Sequence, residues 1–235
     1  MKVTLGHDPA MARMVERQMC NWEHARQQRD APGPPNPLEL HDFICISREV
    51  EVGPSLIGAM VAERLEWPLI DKEVLHAMAG DDALREQVYT SLDERHLSWC
   101  EETLRSLMHS EFSRNDYFHQ LGRTVVALAR QGNAVFVGRR ADLILPRDLG
   151  LRVRLIAPLE MRIRLIMERL GLSEPEAIKE LRRLEEERAA FIKQYFKVSP
   201  DDPSAYDLVI NLRRVSPDQT VDMILAAHKF LASAG

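Results

Sequence analysis

Cysteine is scarce in this chain of 235 residues, and Cys20, Cys45 and Cys100 form no Cys-x-x-Cys pair and no metal spacing with histidine. That excludes a disulfide scaffold and a cysteine-based metal site. The odd, sparse count, with no leader-like pattern, gives a reducing, cytoplasmic setting as the expectation. Long apolar runs are lacking too. None approaches the ~20 residues of a membrane span, so no membrane partner is expected. A strong charge of one sign is also missing: 31 basic against 36 acidic residues leave a net −5 and a pI near 5.9. A general nucleic-acid footprint is therefore absent, and local basic clusters must carry any anion binding. His41, His76, His96, His109, His119 and His228 are scattered without a triad or ligand constellation, so no protein-built metal site is expected. Outside one Pro-rich stretch there is no low-complexity tract and no internal repeat.

What is present suits one α/β domain with an appendage. Hydrophobic residues make up 45% and charged residues 29% of the chain, enough for a proper core under an ordinary soluble surface. Asp8-Pro9 followed by Met11, Met14, Val15, Met19 and Trp22 has the spacing of a capped amphipathic helix. It gives way to Ala31-Pro-Gly-Pro-Pro-Asn-Pro37, a stiff linker. This arm, residues 1–41, either packs on its own domain or joins two copies into a homodimer. From residue 42 to 235 the pattern alternates strand and helix, which implies a parallel sheet. Strands are expected at Phe43–Ser47, Pro68–Ile70, Ala134–Val137, Arg152–Ile156 and Asp207–Asn211. Val135-Phe-Val137 and Leu208-Val-Ile210 are wholly apolar, as strands covered on both faces are. A helical insert of about residues 72–131 separates the second and third strands. Its acidic first part, Asp81 to Glu102, reads as a solvated face.

The first strand leads through Ser47-Arg-Glu-Val-Glu-Val-Gly-Pro-Ser55 into a helix whose apolar positions are Leu56, Ile57, Met60, Val61 and Leu65. A strand, tight turn and helix of this kind aim backbone N–H groups and a helix N-terminus at one spot, which suits phosphate. The lysine of a full phosphate loop is missing, because Pro54 follows Gly53. After the third strand comes Gly138-Arg-Arg-Ala-Asp142. Ligands of open α/β sheets bind beyond the carboxyl ends of strands, so Arg139 and Arg140 face the expected crevice. Their planar forks match phosphate oxygens, and Asp142 can accept from a sugar or base donor. After the fourth strand, Pro158 starts a helix on which Arg162 and Arg169 share a face. Ser173 then caps a second helix with the dense run Arg182-Arg-Leu-Glu-Glu-Glu-Arg188. This hairpin, about residues 170–200, can bring arginines over a transferring phosphate; the same residues can also form surface ion pairs.

Taken together, Ile44-Cys-Ile-Ser-Arg48, Pro68 to Leu75, Val135 to Leu145, Glu185 to Ala190 and Tyr206-Asp-Leu-Val-Ile-Asn211 resemble the cytidylate-kinase-like family of P-loop proteins. The resemblance covers roughly Phe43 to Leu231. It implies a P-loop NTPase-like parallel five-stranded sheet flanked by helices, with an acceptor-binding insert and an arginine-bearing lid. It further implies ATP, carrying its own Mg2+, as donor and a pyrimidine monophosphate as acceptor. In that likeness Ser47, Arg48, Gly53 and Ser55 meet the donor phosphates. Asp71, Gly138, Arg139, Arg140 and Asp142 meet the acceptor. Arg162, Arg182 and Arg188 meet the transferring group. The chain departs from the pattern at Glu51 and Pro54, where the family has glycines. A carboxylate there repels phosphate, and Pro54 removes a donor. The alternative is therefore a catalytically silent relative that binds nucleotides or serves as a scaffold.

Overall fold

The computed structural model describes residues 40–52, 56–71, 74–75, 98–99, 102, 116–195 and 202–234. The N-terminal arm, most of the expected insert, Gly53, Pro54 and Ser55 lie outside the described residues. In chain order the elements are β1 (Phe43–Arg48), α1 (Leu56–Leu65), β2 (Leu69–Ile70), α2 (Asp116–Gln131), β3 (Ala134–Val137), α3 (Ala141–Ile144), β4 (Leu151–Ile156), α4 (Leu159–Leu170), α5 (Glu174–Tyr195), β5 (Leu208–Asn211) and α6 (Pro217–Ala234). A 3-10 turn, Pro203–Ala205, precedes β5.

The five strands form one parallel sheet in the order β2-β3-β1-β4-β5. β1 is central because its residues are apolar on both sides. Phe43 and Cys45 pack with Phe136 against α2 and α3, while Ile44 and Ile46 pack with Val135, Val153 and the helices α1 and α6. Period-two alternation on a twice-covered strand gives a three-layer α/β/α domain. Cys45 is a small core residue whose burial pushes its thiol up, away from the reactive thiolate. Among the described residues no helix is long and apolar enough to cross a membrane.

All five expected strands form, with boundaries shifted by at most a residue. One expectation fails: β5 is not covered on both faces. It is the sheet's edge strand, and Val209 is 41% exposed there. Pro158 stands one position before the expected place, as the N-cap of α4 with φ −56°. Ser173 precedes α5 as expected, and its backbone N–H donates to Glu176, three residues on, as in a capping box.

The chain builds β2 and β3 on one side of β1, then β4 and β5 on the other. Above β1 the connections therefore part, and a crevice opens at the strands' carboxyl ends.

Candidate functional site

That crevice is a cleft of about 400 Å³. Its floor and one wall come from the turn after β1 (Ser47 to Glu51), a second wall from the turn after β3 (Val137 to Asp142), and its roof from Arg188 and Ile192 of α5. The turn after β3 has an unusual backbone. Gly138, Arg139 and Arg140 have φ of 78°, 50° and 59°. Two consecutive non-glycine residues in the left-handed region cost on the order of 1 kcal/mol each or more, so the surroundings must enforce them. They do so through Gly138 N–H, which donates to Ile46 O at 3.1 Å, and the first bonds of α3 to Arg140 O. The turn places both Arg139 and Arg140 in the cleft lining, with Arg140 buried.

Arg140 and Asp142 form a buried ion pair at 3.3 Å, their side chains 7% and 5% exposed. That ion pair joins Nη2 to Oδ2; beyond it, Arg140 Nε, Arg140 Nη2 and Asp142 Oδ2 have no hydrogen-bond partner among the described residues. Buried polar groups rarely remain so, and those at a cleft floor are the groups a ligand would satisfy. Arg140 Nη1 donates to the Tyr206 hydroxyl at 3.4 Å. Ser47 Oγ accepts from Arg154 Nη1 at 3.0 Å and from Tyr206 at 3.4 Å. Ser47 is thus committed to the floor of the cleft rather than to its mouth.

The turn after β1 is docked onto the α4–α5 hairpin. Val50 packs into the apolar cluster of Ile163, Ile166, Ala177 and Leu181. Glu49 Oε2 accepts from Ala157 N–H at 2.9 Å and lies 3.6 Å from Arg162 Nε, while Arg162 Nη1 is bonded to Glu185 of α5. Glu51 has φ 60°, the backbone a glycine adopts at no cost. Its carboxylate takes Arg169 in a two-point grip at 2.7 and 3.0 Å. The expectation that Glu51 stands as a bare negative charge thus needs amendment: Arg169 offsets it. Arg162 and Arg169 do share a face, and both reach this turn.

Of the other residues singled out, Arg48, Arg139 and Arg188 line the cleft, whereas Arg182 is exposed on α5 and Arg183 is committed to Glu180 and Glu187. The Arg183 bond draws the Glu180 carboxyl below its usual range. Asp71 is not among the lining residues; its Oδ1 accepts from Val74 N–H at 3.0 Å and caps the turn that follows β2. The reading of the sequence missed Tyr206 and Arg154. The only available signal was their place at a strand start and within a strand.

The family description "Cytidylate kinase-like family" matches residues 43–214, the whole span that builds the sheet and the cleft. The chain belongs to the cytidylate kinase-like family. Its relatives include a cytidylate kinase of Methanothrix thermoacetophila, 35% identical over 45% of this chain and 60% of that protein. Another, from Methanocaldococcus jannaschii, is 30% identical over 74% of this chain and 90% of its own length. The chain spans only 60% and 56% of the Methanothrix and Methanopyrus kandleri cytidylate kinases. An uncharacterized protein from Eubacterium ventriosum shares the fold with a TM-score of 0.62 and 22% identity, over 82% of this chain and 99% of that one. The matched span is thus the parallel sheet and the cleft that opens above β1.

Proposed function

We propose that the protein is a nucleoside-monophosphate-kinase-like phosphotransferase that moves a phosphoryl group from ATP to a pyrimidine monophosphate, cytidylate first. The observation that supports this most is the convergence of Arg48, Arg139, Arg140 and Arg188 on one cleft at the carboxyl ends of the strands. Phosphoryl transfer asks a protein mainly for positioning and charge neutralisation. Arg139, Arg140, Gly138 and Asp142 hold the acceptor, with Asp71 supporting the segment after β2. On this reading Arg48, Gly53 and Ser55 meet the donor phosphates, while Ser47, bonded to Arg154 and Tyr206, supports that turn. Arg188, with Arg162 and Arg182 of the hairpin, neutralises the transferring group. The described residues gather no group of three His, Cys, Asp or Glu side chains that could hold a metal. On this reading Mg2+ enters as part of the nucleotide complex and supplies charge neutralisation there.

Arg139→Ala is expected to weaken cytidine monophosphate binding by about 1.5–3 kcal/mol, the range for hydrogen bonds to charged groups, and to leave ATP binding nearly unchanged. Titration calorimetry checks both. An unaltered monophosphate affinity removes the acceptor assignment.

A second reading is favoured by one observation. Glu49 and Glu51 already engage Arg162 and Arg169, as phosphate oxygens of a donor would. On that reading the protein binds a monophosphate without transferring phosphate. Glu51→Gly separates the two. The variant frees Arg169, removes a negative charge from the turn and suits the left-handed backbone, so ATP affinity should rise three- to tenfold at low salt. Roughly 1.4 kcal/mol per tenfold is a reasonable bound, because Arg169 is 51% exposed and such pairs are weak and screened. If neither ATP affinity nor transfer rate rises in calorimetry and a coupled assay, the turn is no donor cradle and the silent reading stands.

A further inference from the structure

Tyr206 has no role in the assignments above, yet it joins the two halves of the cleft. Its hydroxyl accepts from Arg140 Nη1 and donates to Ser47 Oγ, both at 3.4 Å. Its ring lies under Arg154, with Cζ 5.7 Å from the ring centroid, and Arg154 in turn donates to Ser47. Four side chains, from β1, the turn after β3, the middle of β4 and the segment before β5, thus share a single buried network. Tyr206, Arg154, Arg140 and Ser47 are each buried.

The ring's position is built in. Tyr206 N–H donates to Pro203 O at 3.1 Å and Asp207 N–H to Arg152 O at 2.9 Å, while Asp207 accepts from Arg152 N–H at 2.7 Å. Arg147 clamps the preceding turn through the carbonyls of Ser204 and Ala205. Tyr206 is held on both sides, so its hydroxyl is a fixed point. Arg140 is the member with something left to give: Nε is buried and has no hydrogen-bond partner among the described residues, and Nη2 meets only the Asp142 carboxylate, in an ion pair at 3.3 Å. A guanidinium held at Nη1 by Tyr206 and at Nη2 by Asp142 presents Nε in a fixed direction, and a planar fork loses its match to an anion if it can rotate.

We propose that Tyr206 is a positioning residue. It fixes the orientation of Arg140 toward an anionic phosphate monoester and ties that orientation to Ser47 at the end of β1. The inference rests on the acceptor-site reading above. Tyr206→Phe tests it, because the ring under Arg154 is kept and only the hydroxyl is lost. Cytidine monophosphate binding, read by calorimetry, should weaken five- to tenfold, somewhat less than a full charged hydrogen bond because the tether is long. The melting temperature should stay within about 2 °C. Added to Arg140→Lys, the same change should cost nothing more, since the hydroxyl acts through the guanidinium.

Unchanged affinity in Tyr206→Phe overturns the proposal. So does a loss that adds in full to that of Arg140→Lys, or one that comes with a marked fall in melting temperature, which would mean a packing role. Wild-type protein that melts normally and binds no monophosphate overturns the acceptor reading itself, and this inference with it. Ser47→Ala removes the hydroxyl's other partner and serves where Tyr206→Phe does not fold. At least a twofold loss is expected there, and no loss overturns the proposal.

Discussion

Arg152→Met should cost about 3–5 kcal/mol of folding stability, because it removes one charged donor from five carbonyls, two of them in fully buried bonds. Arg152 is 1% exposed although it lies in the middle layer of the domain. Its Nε donates to Asp142 O at 3.1 Å, Nη1 to Leu149 O at 2.9 Å and Arg147 O at 3.3 Å, and Nη2 to Leu145 O at 2.9 Å and to Pro146 O. A helix end buried without such partners is unstable, and here the acceptors are Asp142 in α3, its C-cap Leu145 and the loop carbonyls that follow. The positive charge also suits that end of the helix. Methionine fills much the same volume but donates nothing, so the loss falls on the acceptors rather than on packing. At roughly 2–4 °C per kcal/mol for a chain of this size, the melting temperature should fall by on the order of 10 °C. Urea unfolding with an unchanged slope checks the number. A cost under about 1 kcal/mol would mean that water reaches those carbonyls and the argument fails.

Gly150→Ala acts on the same segment by a different cause and should cost about 2–4 kcal/mol. Gly150 has φ 67°, and a Cβ added there would lie 2.6 Å from the Phe43 carbonyl oxygen and against the Phe43 ring. Phe43 is fully buried in β1 and cannot step aside without disturbing the centre of the sheet. The two contributions separate cleanly. Asparagine tolerates left-handed backbone better than alanine but carries the same Cβ. If the contact dominates, Gly150→Asn should be no milder than Gly150→Ala in thermal unfolding. A marked rescue by asparagine would assign the cost to φ instead.

Both predictions concern a stretch whose importance no local pattern announced. Leu151-Arg-Val-Arg-Leu-Ile156 alternates apolar and basic residues, as a strand with one wet face does, yet Arg152 and Arg154 are both buried. One is consumed by the carbonyls that follow α3, the other by Ser47 and Tyr206. By contrast, β1 and β3 were legible because a run of β-branched and aromatic residues has few other stable settings. The turn at Gly138-Arg139-Arg140 was also legible, since a glycine directly after a buried strand marks the crevice. Glu51 was legible as a departure, but its effect was not. A carboxylate is a repulsive charge until a partner is known, and Arg169 lies 118 residues further on.

The sequence by itself determined the alternation of strand and helix, the parallel sheet, the family, and the arginine-rich segments that face its crevice. These follow from apolar period, turn residues and charge within windows of about ten residues. Only the tertiary structure decided which arginines serve the fold and which are left to the cleft. It also decided that Glu49 and Glu51 answer to the α4–α5 hairpin and that Tyr206 stands between Arg140 and Ser47. The outcomes for Glu49, Glu51 and Tyr206 depend on contacts between residues 66 to 159 positions apart. A guanidinium's role is set by the acceptors within 3 Å of it, and the chain brings those together only when the sheet closes.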